Sequence, residues 1–164
     1  NPHQQRLRIP AGKLQTQVAN VTDLFPTVLA VADTESPRGH AVDGHRLNTL
    51  LGGKRDRQRK EQFLMHYPHG PHRSNYFTVW RDGVWKLIYH NFPADPPLGG
   101  KVQSAGARYE LFNLATDPFE STNVAGDNPQ VLKRLVKGLA SQLAQHAAVY
   151  PVDQAGRPLK PQLP

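Results

Sequence analysis

The chain has 164 residues, 38% of them apolar, with fifteen prolines, thirteen glycines, no cysteine and a formal charge of +7. That length suits one domain, or one domain with a tail, and the missing cysteine excludes disulfides and thiolate chemistry. No apolar run approaches the roughly 20 residues of a membrane span. The charge favours anionic partners such as nucleic acid, anionic lipid, or sulfated or phosphorylated substrates, without choosing among them.

Residues 1–17 are polar and basic and read as an extended lead-in. They open on Asn1 rather than methionine, as a cut piece would. The run "VTDLFPTVLAVAD" predicts a helix. Thr22 is placed to cap it, Asp23 suits the positive end of its dipole, and Pro26 falls in a first turn whose amides lack helical partners. Leu24, Phe25, Val28, Leu29 and Val31 give it a broad apolar face. Residues 33–60 read as loop, with an apolar turn at Leu47 to Leu51 that packs down. The run "KRDRQRK" reads as a solvated basic segment rather than a nucleic-acid patch.

Strands follow. "QFLMHY" is apolar and stops at Pro68. "YFTVWRD" and "VWKLIYH" flank an Asp82-Gly83 turn, a hairpin signal. In the second arm Trp85, Leu87 and Tyr89 alternate with Lys86, Ile88 and His90. "RYELFNL" is another strand, with Tyr109, Leu111 and Asn113 on one face. Asn128 and Pro129 then open a helix, the first as cap and the second at the first helical position. Leu132, Leu135, Val136, Leu139 and Leu143 form its stripe, while Lys133, Arg134 and Lys137 point outward. The tail from Pro151 reads as irregular. The sum is an α+β unit: about four antiparallel strands packed against a C-terminal helix, with a further helix near the N-terminus. The expected divisions are 1–60, 61–150 and a proline-rich tail, 151–164.

The candidate chemistry gathers in "HYPHGPHRS", residues 66–74. A zinc site needs three or four converging ligands, and His66 and His69 would point to opposite faces of a strand. No carboxylate lies between residues 62 and 81 to help, so a metal centre is disfavoured. His69, His72 and Arg73 could serve an anion, since arginine offers a planar fork of donors, but on the sequence alone an exposed polar loop at a strand end explains them better. Ser36 has no base beside it, and Asp127-Asn128 is better explained by capping. The aromatics of "NYFTVWRDGVWKLIYH" could stack nucleobases, but covering the helix is their simpler use.

The order of these phrases resembles the late part of the formylglycine-dependent sulfatases, arylsulfatase-like members of the alkaline-phosphatase superfamily. "VTDLFPTVLAVAD" precedes "VDGHRLNTLLGG". Then come "FLMHYPH", "RDGVWKLIYH" and "YELFNLATDPFESTNVAGDNPQVLKRLVKGL". The resemblance runs from about Ile9 to Val149. It implies an N-terminal catalytic domain, absent here, holding the nucleophile and a calcium ion. It also implies a smaller C-terminal part with a four-stranded antiparallel sheet under a helix. The helix at Thr22 would lie at the seam between the two.

The family nucleophile sits in a motif of Cys or Ser, any residue, Pro, any residue, Arg, which this chain lacks. The calcium-binding aspartates and the catalytic lysine and histidine set are likewise missing. No catalytic residue and no metal ligand is therefore carried over, and the chain alone is expected to be inactive. Calcium and formylglycine belong to the intact enzyme. The resemblance implies that His66, His69, His72 and Arg73 line the substrate rim on the leaving-group side. The expected partners are the N-terminal catalytic domain and a sulfated small molecule or carbohydrate, with no membrane and nucleic acid disfavoured. A homodimer through the exposed seam is a further expectation, and a periplasmic or secreted location suits the intact protein.

Overall fold

The computed structural model describes residues 9–68, 76–92 and 107–164. The chain divides into two compact units, Asn1–Glu61 and Gln62–Pro164.

In the first unit a 3-10 turn, Val21–Asp23, runs straight into helix α1, Leu24–Val31; a single turn, α2, spans Asn48–Leu51. The start of this helix is built differently from the prediction. The capping residue is Asn20, not Thr22, and the Asn20 amide donates to Asp23 Oδ2 at 2.7 Å. Asp23 folds back to close the turn, a capping geometry, instead of sitting exposed at the dipole. Leu47 and Leu50 are buried, so the apolar turn packs down as expected. The α1 stripe does not: Leu24, Phe25, Val28 and Val31 are all exposed, Val28 by 63%, and Leu29 is half-buried. Gly44 is required by close approach, because a Cβ there would lie 2.1 Å from the Thr22 carbonyl oxygen.

The second unit holds strands β1 (Gln62–Tyr67), β2 (Phe77–Asp82), β3 (Trp85–His90) and β4 (Tyr109–Asn113), then helix α3, Pro129–Gln145. The sheet is antiparallel in the order β1-β2-β3-β4. Successive residues of a strand face opposite sides. The register therefore puts Leu64, Trp80, Leu87 and Leu111 in one row and His66, Thr78, Tyr89 and Tyr109 in another row on the same side. That side meets α3. Trp80, Leu87, Tyr89 and Leu111 form one core with Leu132, Leu135, Val136, Leu139 and Leu143, the stripe read from the sequence. Lys133, Arg134 and Lys137 are exposed, as predicted.

Two details differ. Asn128 precedes α3, but its side chain makes no cap bond; its Nδ2 donates instead to the Val124 carbonyl at 3.0 Å. The tail is also more ordered than its prolines suggest. Val152 and Pro158 form an antiparallel bridge. The Leu159 carbonyl accepts from Tyr89 Oη at 3.3 Å and Asn91 Nδ2 at 3.1 Å. Tyr109 Oη donates to the Gln162 carbonyl at 2.5 Å and accepts from its amide at 2.9 Å. Burial pushes the Tyr109 phenol up to about 12, so this anchor stays protonated and keeps both bonds.

Candidate functional site

The sheet has two unlike ends. At one end β2 and β3 join through a turn at Gly83 and Val84. At the other, the longer connections 68–76 and 91–108 link β1 to β2 and β3 to β4. Binding residues concentrate on connections of the second kind, held by a rigid scaffold. His69, His72 and Arg73 belong to the first of these connections and lie outside the described residues.

His66 is described, and it sits on the α3 side of the sheet. Its Nδ1 is 2.8 Å from Thr78 Oγ1 and its Nε2 is 2.7 Å from the Val149 carbonyl. Its ring also meets Tyr150 edge-on, with centroids 5.7 Å apart. Both ring nitrogens are committed to internal bonds, pinning the segment after α3 to β1. Among the described residues no three His, Asp or Glu side chains converge as a metal cage.

The face turned away from α3 carries the more informative groups. Its rows are Phe63, Arg81, Lys86 and Phe112, then Met65, Val79, Ile88 and Glu110, then Tyr67, Phe77 and His90. Glu110 is buried, and its Oε2 lies 2.8 Å from His90 Nε2. The Tyr67 and Phe77 rings stack in the same row as His90, with centroids 5.6 Å apart. Lys86 reaches Glu120 at 2.6 Å. From the sequence His90 is only a strand residue; alternation puts it on the face away from Leu87 and Tyr89, but its pairing with Glu110 follows only from the register.

In the first unit a cleft of about 670 Å³ is lined by polar groups, among them His45, Arg46, Asn48, Asp56 and Arg59. Arg59 corrects the reading of "KRDRQRK" as wholly solvated. Its side chain is only 6% exposed, its Nη2 donates to Asp23 Oδ2, and its Nε donates to the Val18 carbonyl at 2.6 Å. Asp23 Oδ1 accepts from the His45 amide at 2.8 Å. Burial acts to raise the Asp23 pKa, but these amides and the guanidinium outweigh it and hold the carboxyl below its ordinary value. The network ties the lead-in, α1 and the basic run together.

No family model matches the chain. Human (Homo sapiens) arylsulfatase D is 27% identical over 89% of this chain and 27% of its own length. Steryl-sulfatase of Mus musculus is 36% identical over 66% of this chain and 19% of its own length. A protein solved in complex with its substrate D-glucosamine-2-N,6-O-disulfate is 25% identical, with a TM-score of 0.56 over 76% of this chain and 24% of that one. This chain is a relative of the sulfatases. It matches their C-terminal part and spans about a quarter of the length of the curated relatives it matches. The sulfatase resemblance stated from the phrases and the α+β architecture both stand. Of the two tryptophans that a base-stacking surface could expose, Trp80 is buried beneath α3 and Trp85 is half-buried.

Proposed function

We propose that this chain is the C-terminal part of a sulfuric ester hydrolase and supplies the sheet-and-helix unit and the substrate rim to a catalytic domain that precedes it. The observation carrying this reading is a match over most of this chain that covers only about a quarter of sulfatases. The exposed α1 stripe supports it. Four large apolar side chains on one short helix are an interaction surface rather than a random scatter, and the preceding domain is the partner that would cover them.

The intact enzyme would attack sulfur with a formylglycine hydrate, with calcium offsetting charge on the sulfate oxygens. This chain contributes none of those groups. Its own residues act on the alcohol side of the ester, with His69, His72 and Arg73 at the rim. The net charge of +7 draws the anionic substrate in. The substrate is a sulfated small molecule or carbohydrate, the range spanned by relatives named for a steryl sulfate and a glucosamine disulfate.

The test compares the protein its gene encodes with the 164-residue chain, on a panel of aryl, steryl and monosaccharide sulfates. Turnover by the first and none by the second is expected. Turnover by the isolated chain, or a coding region without a Cys/Ser-x-Pro-x-Arg motif upstream of Asn1, overturns the reading. Gel filtration of the isolated chain reports whether the α1 stripe pairs with a second copy when the preceding domain is missing.

A further inference from the structure

The helix-free side of the sheet holds a charged pair that apolar packing has no use for. Glu110 is 5% exposed, and its Oε1 has no hydrogen-bond partner among the described residues. Its single side-chain bond is the one to His90 Nε2. A buried carboxylate is costly, and a hydrophobic pair of similar volume packs at least as well. The register makes the pair a diagonal one: Ile88 faces Glu110 and Tyr89 faces Tyr109, so His90 and Glu110 share the outer face across β3 and β4.

The pairing fixes which nitrogen of His90 is free. A carboxylate can only accept, so Nε2 carries a hydrogen and donates it. In the neutral ring the lone pair is then on Nδ1. The side chain of His90 is 16% exposed. The imidazole is thus braced by Glu110 through Nε2, with Nδ1 left as its acceptor. It stands in line with the stacked Tyr67 and Phe77 rings, at the end of the sheet carrying the long connections.

We infer that His90 contacts the substrate of the sulfatase proposed above, its Nδ1 accepting a hydrogen bond from a hydroxyl on the alcohol portion of the ester, and that Glu110 is a positioning residue that sets its ring. The substrate class is a hydroxyl-bearing sulfate ester of the carbohydrate type, for which an acceptor beside aromatic faces is the matching chemistry. This inference rests on the sulfatase reading and adds to the rim a residue pair outside the histidine-rich loop.

The experiment uses the protein its gene encodes, with a monosaccharide sulfate as substrate and inorganic sulfate as an inhibitor that has no alcohol portion. His90→Phe keeps a ring and removes the acceptor. It should raise KM for the sugar sulfate about tenfold, the loss of one hydrogen bond to a substrate hydroxyl, with inhibition by sulfate held within about twofold. His90→Gln, which retains an acceptor oxygen, should recover part of the loss. Glu110→Leu, close in size and without an acceptor, should act at a distance: the ring loses the bond that keeps its hydrogen on Nε2, and KM rises although His90 is intact. Ring ¹⁵N shifts should report that tautomer change. A purely structural pair would instead weaken sugar and sulfate binding together, or change neither, and either result overturns the inference. A wild type that hydrolyses only aryl esters also overturns it, leaving the sulfatase reading in place. A wild type that hydrolyses no sulfate ester overturns both.

Discussion

The two units solve the problem of stability in opposite ways. In residues 62–164 large apolar side chains close on one another: Leu87, Leu111 and Leu139 have no exposed surface, and α3 lies over the sheet. In residues 1–61 the relation is inverted. Gln17, Asp23 and Thr27 are buried, while Leu24, Phe25, Val28 and Val31 are exposed. Its order comes from side chains that replace missing backbone partners. Gln17 exchanges two bonds with the Asp56 backbone, at 2.6 and 3.0 Å, and Thr27 Oγ1 accepts from the Leu47 amide at 2.8 Å. A self-sufficient domain buries apolar surface. The first unit, with only Leu47 and Leu50 among its large aliphatic side chains buried, leaves apolar surface uncovered, while the second closes a core of its own.

The largest effect that tests this contrast is the loss of Asp23. Asp23→Asn leaves the Arg59 guanidinium buried without its counter-charge, which costs about 3–5 kcal/mol. Amide hydrogen exchange at Asn20 and His45, whose N–H groups bond the carboxylate, should speed up accordingly. If protection there is unchanged, the polar network is not what orders the first unit. The same residue gives the unit an acid limit. Its folded pKa lies below the ordinary aspartate value, so its stabilisation is complete above that value and is lost as pH falls through the folded one. Protection at those two amides should therefore fail in the wild type only as pH falls below the ordinary carboxylate value. The asparagine variant should show no such step.

An intermediate effect tests the tightness of the other core. Gly138 lies inside α3, where alanine would gain about 0.8–1 kcal/mol in helix propensity. A Cβ there would stand 3.0 Å from Trp80 Nε1, and overpacking a close contact costs about 1–3 kcal/mol. Gly138→Ala should be net destabilising by about 1 kcal/mol, read as an earlier urea midpoint in tryptophan fluorescence. Both tryptophans, Trp80 and Trp85, lie in this unit, so the probe is local. A later midpoint would mean that the indole gives way and the core is looser than described.

How much of this the sequence discloses depends on the range of each interaction. The α3 stripe and the alternation of β3 and β4 are periodic, and a period is visible within ten residues. Arg59 was not legible, because among six neighbouring polar residues nothing marks it as the one whose partner lies 36 positions upstream. His66 was assigned to the rim from the resemblance, together with its loop neighbours. Its alternation with Leu64 put it on the helix-facing side, where its ring is spent on Thr78 and Val149. His90 and Glu110 needed the strand register before they could be paired. The α1 stripe was legible as an apolar helix, whereas its exposure was not, because periodicity marks an apolar face without saying what covers it.

The smallest effect is the sharpest control, because it repeats the chemistry of the largest. Arg134 Nη1 reaches Asp82 Oδ2 at 2.7 Å, an arginine–aspartate pair like Arg59 with Asp23, but the two side chains are 54% and 30% exposed. Water already solvates both groups, and Gln62 Nε2 also serves Asp82, through Oδ1 at 3.1 Å. Arg134→Ala should thus cost less than about 1 kcal/mol. That small loss should vanish in about 1 M salt, where the screening length falls to about 3 Å. The Asp23→Asn penalty should keep most of its size in the same buffer, since buried charges are poorly screened. If salt erases both penalties alike, Asp23 is more hydrated than its burial indicates, and the first unit is held by something other than its polar interior.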